Sequence, residues 1–167
     1  MRHIISVLLQ NEAGALSRVA SLFSTRGYNI ESLSVAPTED PLFSRLTLVT
    51  LGSDQVIDQI SKQLLKLVDV VGMVNMTRGD HIERELLLIK TKVPDAAWDR
   101  VNDLVRRENA RVLDDSRATF TVELTSTCGR IDEFVEKMAN LGSILTVVRS
   151  GPMAISRGAQ MLAARVS

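Results

Sequence analysis

Residues 2–27 read RHIISVLLQNEAGALSRVASLFSTRG, and the change of period within this stretch decides the fold. Residues 2–10 are nearly continuously aliphatic, the pattern of a central strand covered on at least one face. After a polar break at NEAG (11–14), Leu16, Val19, Ala20 and Phe23 fall at i, i+3, i+4 and i+7, one face of a helix over residues 15–26. Gly27 supplies the C-terminal stop. The result is a βα unit, and the chain beyond it shows how that unit is completed.

Tyr28, Ile30, Leu33 and Val35 lie in a second strand without clean alternation, which predicts a kink or bulge near Ser32. Residues 43–51 read as a third strand, with residues 37–41 and their two prolines as the hairpin loop between. Ser53 is placed to cap a helix whose apolar face is Ile57, Ile60, Leu64 and Leu67, and residues 68–76 form a last strand. The order is β-α-β-β-α-β.

TRGD (77–80) breaks the apolar pattern, and the same order then starts again. Residues 86–93 read as a strand, and Asp95, after Pro94, as the cap of a helix faced by Trp98, Val101, Leu104 and Val105. A short strand at 111–113 is followed by perfect alternation over 118–125, where Ala118, Phe120, Val122 and Leu124 oppose Thr119, Thr121, Glu123 and Thr125. Gly129 precedes a helix faced by Ile131, Phe134, Val135 and Met138, Gly142 ends it, and residues 144–148 are the closing strand. The reading is an α+β fold of two tandem ferredoxin-like βαββαβ sandwiches, residues 1–77 and 82–167. The tail from Gly151 carries Pro152 and Gly158 before MLAA (161–164), either a short docking helix or a frayed end.

Composition narrows the function classes. Twenty Lys plus Arg balance twenty Asp plus Glu, so no overall field draws the chain to nucleic acid or an anionic membrane, and the pair Arg106-Arg107 is too short to change that. No apolar run has membrane-spanning length, and no signal-type cleavage site follows Met1, which points to the cytoplasm. Cys128 is the one cysteine and His3 and His81 the only histidines, which excludes an intramolecular disulfide and makes a zinc site implausible; no metal site is expected. The glycines never reach the spacing of a dinucleotide fingerprint or a P-loop, so no nucleotide cofactor is expected on this chain. Adjacent Asp114 and Asp115 point to opposite faces of a strand and do not share a proton or a metal there. No catalytic residue is assigned.

The turn NEAG offers more. A helix beginning near Ala15 leaves the amides around Gly14 to Leu16 without helical partners, and helix N-termini favour anionic groups. Gly14 has no side chain to block an approach, and Asn11 and Asn29 carry neutral amides that accept from an ammonium or donate to a carboxylate. With Leu9, Leu16 and Ile30 as aliphatic neighbours, these residues suit an amino acid. The residues alone leave a second reading open, in which Asn11 caps a turn and Gly14 allows an unusual dihedral.

The run ISVLL (5–9) followed by NEAGALSRVASLFSTRGYNIESLSVAPTEDP (11–41) closely resembles the N-terminal ACT domain of the regulatory, small subunits of acetolactate synthase, also called acetohydroxyacid synthase. The resemblance runs from Met1 to about Val70, taking in Ser44-Arg45, Gln63-Leu64 and Lys66-Leu67-Val68, and continues more weakly to RSG (149–151) and SRG (156–158). ENAR (108–111) and DDSR (114–117) depart from the family's glycine-containing approach to that strand.

The resemblance implies a chain without an active site. Its partner is then a large catalytic subunit that holds thiamine diphosphate, a magnesium ion and FAD and condenses pyruvate with pyruvate or 2-oxobutyrate. It also implies that the chain activates that partner, forms a homodimer through its ACT domains and confers feedback inhibition by valine. Carried over residue by residue, the effector would lie between Asn11, Gly14, Ala15 and Leu16 of one chain and Asn29 and Ile30 of the other. Two other classes compete with this reading: a free-standing amino-acid sensor acting on another enzyme or on transcription, and a small enzyme using Asp114, Asp115 or Cys128. No basic helix-turn-helix segment supports the transcriptional sensor.

Overall fold

The structure, a computed structural model, describes residues 1–116 and 119–163. Arg117, Ala118 and Ala164, which the sequence reading placed in a motif, at a strand start and in the tail, lie outside those residues. The chain divides into two compact units, Met1–Ile82 together with the segment from Pro152 onward, and Glu83–Gly151. Both are ferredoxin-like.

In the first unit, β1 (Arg2–Gln10), α1 (Ala15–Thr25), β2 (Ser32–Pro37), β3 (Phe43–Leu51), α2 (Asp54–Leu64) and β4 (Val70–Asn75) build an antiparallel sheet of order β2-β3-β1-β4. Both helices pack on one face, where Ile5, Val7 and Leu9 meet Val19, Phe23, Ile57, Ile60 and Leu64. β1 is central and buried on both faces, which is why its sequence is continuous rather than alternating. α1 stops as expected at Gly27, whose φ of +70° lets the Tyr28 N–H reach back to the Phe23 carbonyl. Ser53 caps α2 by accepting from the Val56 N–H. The kink or bulge expected near Ser32 takes the form of a bend at Glu31, after which β2 starts at Ser32 and pairs with β3 in unbroken register, with no bulge. The irregularity lies instead between Leu8 and Leu9, where β1 pairs with β4.

In the second unit, β5 (His81–Lys92), α3 (Trp98–Arg107), β6 (Arg111–Asp114), β7 (Thr119–Ser126), α4 (Cys128–Leu141) and β8 (Ser143–Arg149) repeat the plan with sheet order β6-β7-β5-β8. Its core joins Leu87, Ile89, Val101, Leu104, Phe120, Val122, Ile131 and Phe134, and Trp98 meets Phe120 edge-on at 4.7 Å. Asp95 does not cap α3; it opens a 3-10 turn, Asp95–Ala97, and neither that turn nor the helix has a side-chain cap. Gly129 lies inside α4 rather than before it, because Thr127 takes the N-cap position. Asn109 adopts φ +54°, a conformation that asparagine enters more easily than most residues. The Ala110 N–H donates to the Val105 carbonyl across it, closing α3 as a glycine would.

The tail corrects the second domain's expected extent. After Gly151 the chain returns to the first unit, where Ala154, in β9 (Met153–Ser156), is buried with Ile4, Val49 and Met76. The Arg157 N–H donates to the Asp80 carbonyl and its guanidinium pairs with the Asp80 carboxylate at 3.1 Å. Residues 161–163 form no helix. Burial of a sheet face, rather than amphipathic helix formation, fixes this segment.

Candidate functional site

Gly14 occupies the N-cap of α1 with φ +88° and ψ −10°, and no side chain caps the helix. Its conformation is left-handed, so glycine is required there by the backbone before any ligand is considered. The Ala15 N–H already donates to the Glu12 carbonyl at 3.2 Å, so one of the amides expected to be open is closed. Those of Leu16 and Ser17 have no acceptor among the described residues, which leaves two donors at the positive end of the helix dipole.

Asn11 is held on three sides by the β2–β3 hairpin. Its backbone N–H donates to the Leu42 carbonyl at 2.8 Å, its Nδ2 donates to the Pro41 carbonyl at 3.0 Å, and its Oδ1 accepts from the Ser44 hydroxyl at 3.1 Å. The amide therefore fixes the loop, and what it keeps for a ligand is the remaining lone pair on Oδ1. Beside it lies a cavity of about 240 Å³ lined by Leu9, Asn11, Ala15 and Leu16 and by Val35, Ala36 and Pro37 of β2.

Asn29 and Ile30 do not reach this cavity within one chain. They precede the opposite end of β2, where Asn29 donates through Nδ2 to Glu31 at 2.6 Å and Ile30 packs against the helix-side core. β2 is an edge strand paired to β3 alone among the described residues, so its outer backbone edge is open along six residues.

One anchor of the loop escapes sequence reasoning. Arg18, in the first turns of α1, grips the carboxylate of Asp69 with Nη2 on Oδ1 at 2.7 Å and Nε on Oδ2, while the Asp69 carbonyl accepts from the Gln10 N–H at 2.8 Å. The hydrogen bonds from Arg18 hold the Asp69 carboxyl below the usual carboxylate range and raise the guanidinium in turn. Arg18 and Asp69 are 51 residues apart, and only the placement of β4 beside β1 reveals the pair.

Asp114, Cys128 and His81 make hydrogen-bonding contacts with neighbouring groups. Asp114 accepts from the Ser116 amide and hydroxyl in a local turn. The Cys128 amide approaches a Glu83 carboxylate oxygen at 3.4 Å, and His81 Nδ1 lies 3.0 Å from the Gly79 carbonyl. No three His, Cys, Asp or Glu side chains among the described residues are grouped to hold a metal ion, and no helix is long and apolar enough to cross a membrane.

The family model of the AHAS small subunit-like ACT domain matches residues 5–72, the strand, loop and sheet edge just described, and that of the small subunit of acetolactate synthase matches residues 84–158. This chain belongs to the acetolactate synthase small subunit family. It is 45% identical over 162 residues to the acetolactate synthase isozyme 3 small subunit of Escherichia coli, covering 97% of this chain and 99% of that one. It is 37% identical over 163 residues to the probable acetolactate synthase small subunit of Methanothermobacter thermautotrophicus, covering 96% and 95%. The crystal structure of the acetolactate synthase small subunit from Thermotoga maritima superposes with a TM-score of 0.84 at 32% identity, over 95% of this chain and 98% of that chain. Membership in a small-subunit family makes a larger catalytic subunit of acetolactate synthase the partner of this chain.

Proposed function

We propose that this chain is the non-catalytic regulatory subunit that activates the thiamine-diphosphate-dependent subunit of acetolactate synthase in the cytoplasm and makes it sensitive to valine. Thiamine diphosphate, magnesium and FAD belong to the catalytic partner in this reading. Here the chain itself offers neither a phosphate-binding glycine loop nor, among the described residues, a carboxylate or histidine cluster for a metal.

The observation that carries the proposal is the placement of the small cavity at the open edge of β2, against an uncapped helix N-terminus. Two copies pairing β2 to β2 antiparallel across a twofold axis at Leu33, near the start of the strand, would bring Asn29 and Ile30 of one chain level with Pro37 and Ala36 of the other. The half-site of each chain is then completed by its partner. Valine fits such a site chemically: its carboxylate faces the Leu16 and Ser17 amides, its ammonium the free lone pair of Asn11 Oδ1, and its isopropyl group Leu9, Leu16 and Ile30.

Regulation follows from linkage. A ligand that favours one arrangement of the paired domains shifts the catalytic subunit by its differential affinity, typically ~1–3 kcal/mol, and binding of the catalytic subunit must alter valine affinity by the same factor. Assaying acetolactate formation by the catalytic subunit alone, with this chain, and with this chain plus valine tests the proposal. The expected order is low, high and low again, with no product from this chain by itself; an unchanged rate on adding the chain overturns it.

A further inference from the structure

The helices cover one face of the first sheet, and the chain's own C-terminal segment roofs part of the other. Leu8, Arg45 and Ala36 are cross-strand neighbours and share that second face. The Ala163 carbonyl passes so close to Gly72 that a Cβ there would stand 2.7 Å from it, so glycine lets the roof approach. Between this segment and the β2–β3 hairpin is a cavity of about 590 Å³, with Leu8, Phe43 and Met76 on one side and Met161 and Leu162 on the other.

Arg45 enters this cavity half-buried, and its guanidinium has no hydrogen bond or ion pair with another described residue. A partly desolvated guanidinium beside apolar side chains, with no carboxylate paired to it, is an incomplete electrostatic arrangement. The other charges lining the cavity are Glu39 and Asp40; Glu39 has no partner among the described residues, and Asp40 commits one oxygen to the Leu42 N–H at 2.9 Å. A simple anion would be repelled by Glu39 and Asp40, and a simple cation would leave Arg45 unpaired; a molecule carrying both charges next to an apolar body answers each group.

We infer that this cavity is a second small-molecule site, for an α-amino acid with a large apolar side chain. Arg45 takes the carboxylate, Glu39 or Asp40 the ammonium, and Leu8, Phe43 and Met76 the side chain, with Met161 and Leu162 closing over it. The volume lies in the range of small-molecule sites and exceeds the loop cavity more than twofold, which suits a residue larger than valine. The inference does not rest on valine binding at the loop.

Equilibrium dialysis of the full chain against L-phenylalanine, 3-phenylpropanoate and phenethylamine tests it, because the last two probes lack the ammonium and the carboxylate respectively. Saturable binding of one L-phenylalanine per chain is expected, with each analogue at least tenfold weaker. Arg45→Met should weaken L-phenylalanine at least tenfold. Glu39→Gln, at an exposed position that does not threaten folding, should weaken L-phenylalanine but leave 3-phenylpropanoate unchanged or tighter. Absence of saturable binding, equal binding of the three probes, or wild-type affinity in both variants overturns the site.

Discussion

Arg18 and Asp69 form a two-pronged ion pair that ties the start of α1 to the turn before β4, with the Asp69 carboxylate only 3% exposed. Together with the Gln10 N–H bond to the Asp69 carbonyl, it fixes both ends of the NEAG loop. The loop's geometry is thus set by the chain itself, so binding at the proposed effector site would carry a reduced ordering cost.

That pair gives stability a defined pH dependence. The folded-state pKa of Asp69 is lowered, so its contribution is complete above the unfolded value near 4 and is lost as pH falls through the depressed folded value. Asp69→Asn should therefore lower the melting temperature at pH 7, and its difference from wild type should shrink below about pH 4. Thermal melts followed by circular dichroism across pH 3–7 check this.

Gly14 separates backbone need from ligand space. Alanine at φ +88° should cost ~1–2 kcal/mol of stability, and asparagine less, because its side chain tolerates the left-handed region. A Cβ at Gly14 would also meet Arg18 Nη1 at 2.8 Å, a contact that the flexible guanidinium end must yield to. Urea unfolding of both variants should rank them wild type, Asn, Ala. Valine calorimetry on the stable Asn variant then reports whether the missing side chain also leaves room for the ligand.

Asn11→Ala removes the amide bonds to Pro41 and Ser44 and frees the loop from the hairpin. With each such bond contributing ~0.5–1.5 kcal/mol, valine affinity should fall about tenfold while the fold persists. Isothermal titration of the variant measures the change.

In the second unit, Arg149 donates to Glu85 at 2.7 and 2.9 Å and to Asp132 at 2.6 Å. Burial pushes the Glu85 carboxyl up, but the hydrogen bonds from Arg149, helped by the Cys128 and Gly151 contacts, prevail and hold it below the ordinary value. Arg149→Met leaves burial unopposed by its cation and should cost ~1–3 kcal/mol at pH 7. Because wild type loses this stabilisation as Glu85 protonates, whereas the variant gains from that protonation, the gap should close as pH falls toward 4. Denaturant unfolding at pH 7 and pH 4 compares them.

Most strands and helices were legible because their periods differ and their punctuation is local: Ser53, Gly27 and the prolines at 37 and 41 act on neighbours a few residues away. The tail was misplaced for the opposite reason. Ala154 is buried by Ile4, Val49 and Met76, partners up to 150 positions earlier, and no periodicity in a four-residue strand announces them. Asp95 and Gly129 misled because a capping residue type is not a cap until backbone geometry presents it. At the candidate site the loop was readable from its residue types, but Arg18–Asp69 and the use of Asn11 as an anchor needed the strand order.

The central claim is that each effector site takes its loop from one chain and Asn29 and Ile30 from another. Valine calorimetry on Asn11→Ala alone, Ile30→Asp alone, and the two refolded together as a mixture tests it most directly. Both single variants should bind poorly. Mixed dimers place one damaged loop against one damaged edge and leave the other site wild type, so the mixture should recover tight binding at about one quarter of the wild-type site number for random pairing. No recovery on mixing would contradict a site shared between chains.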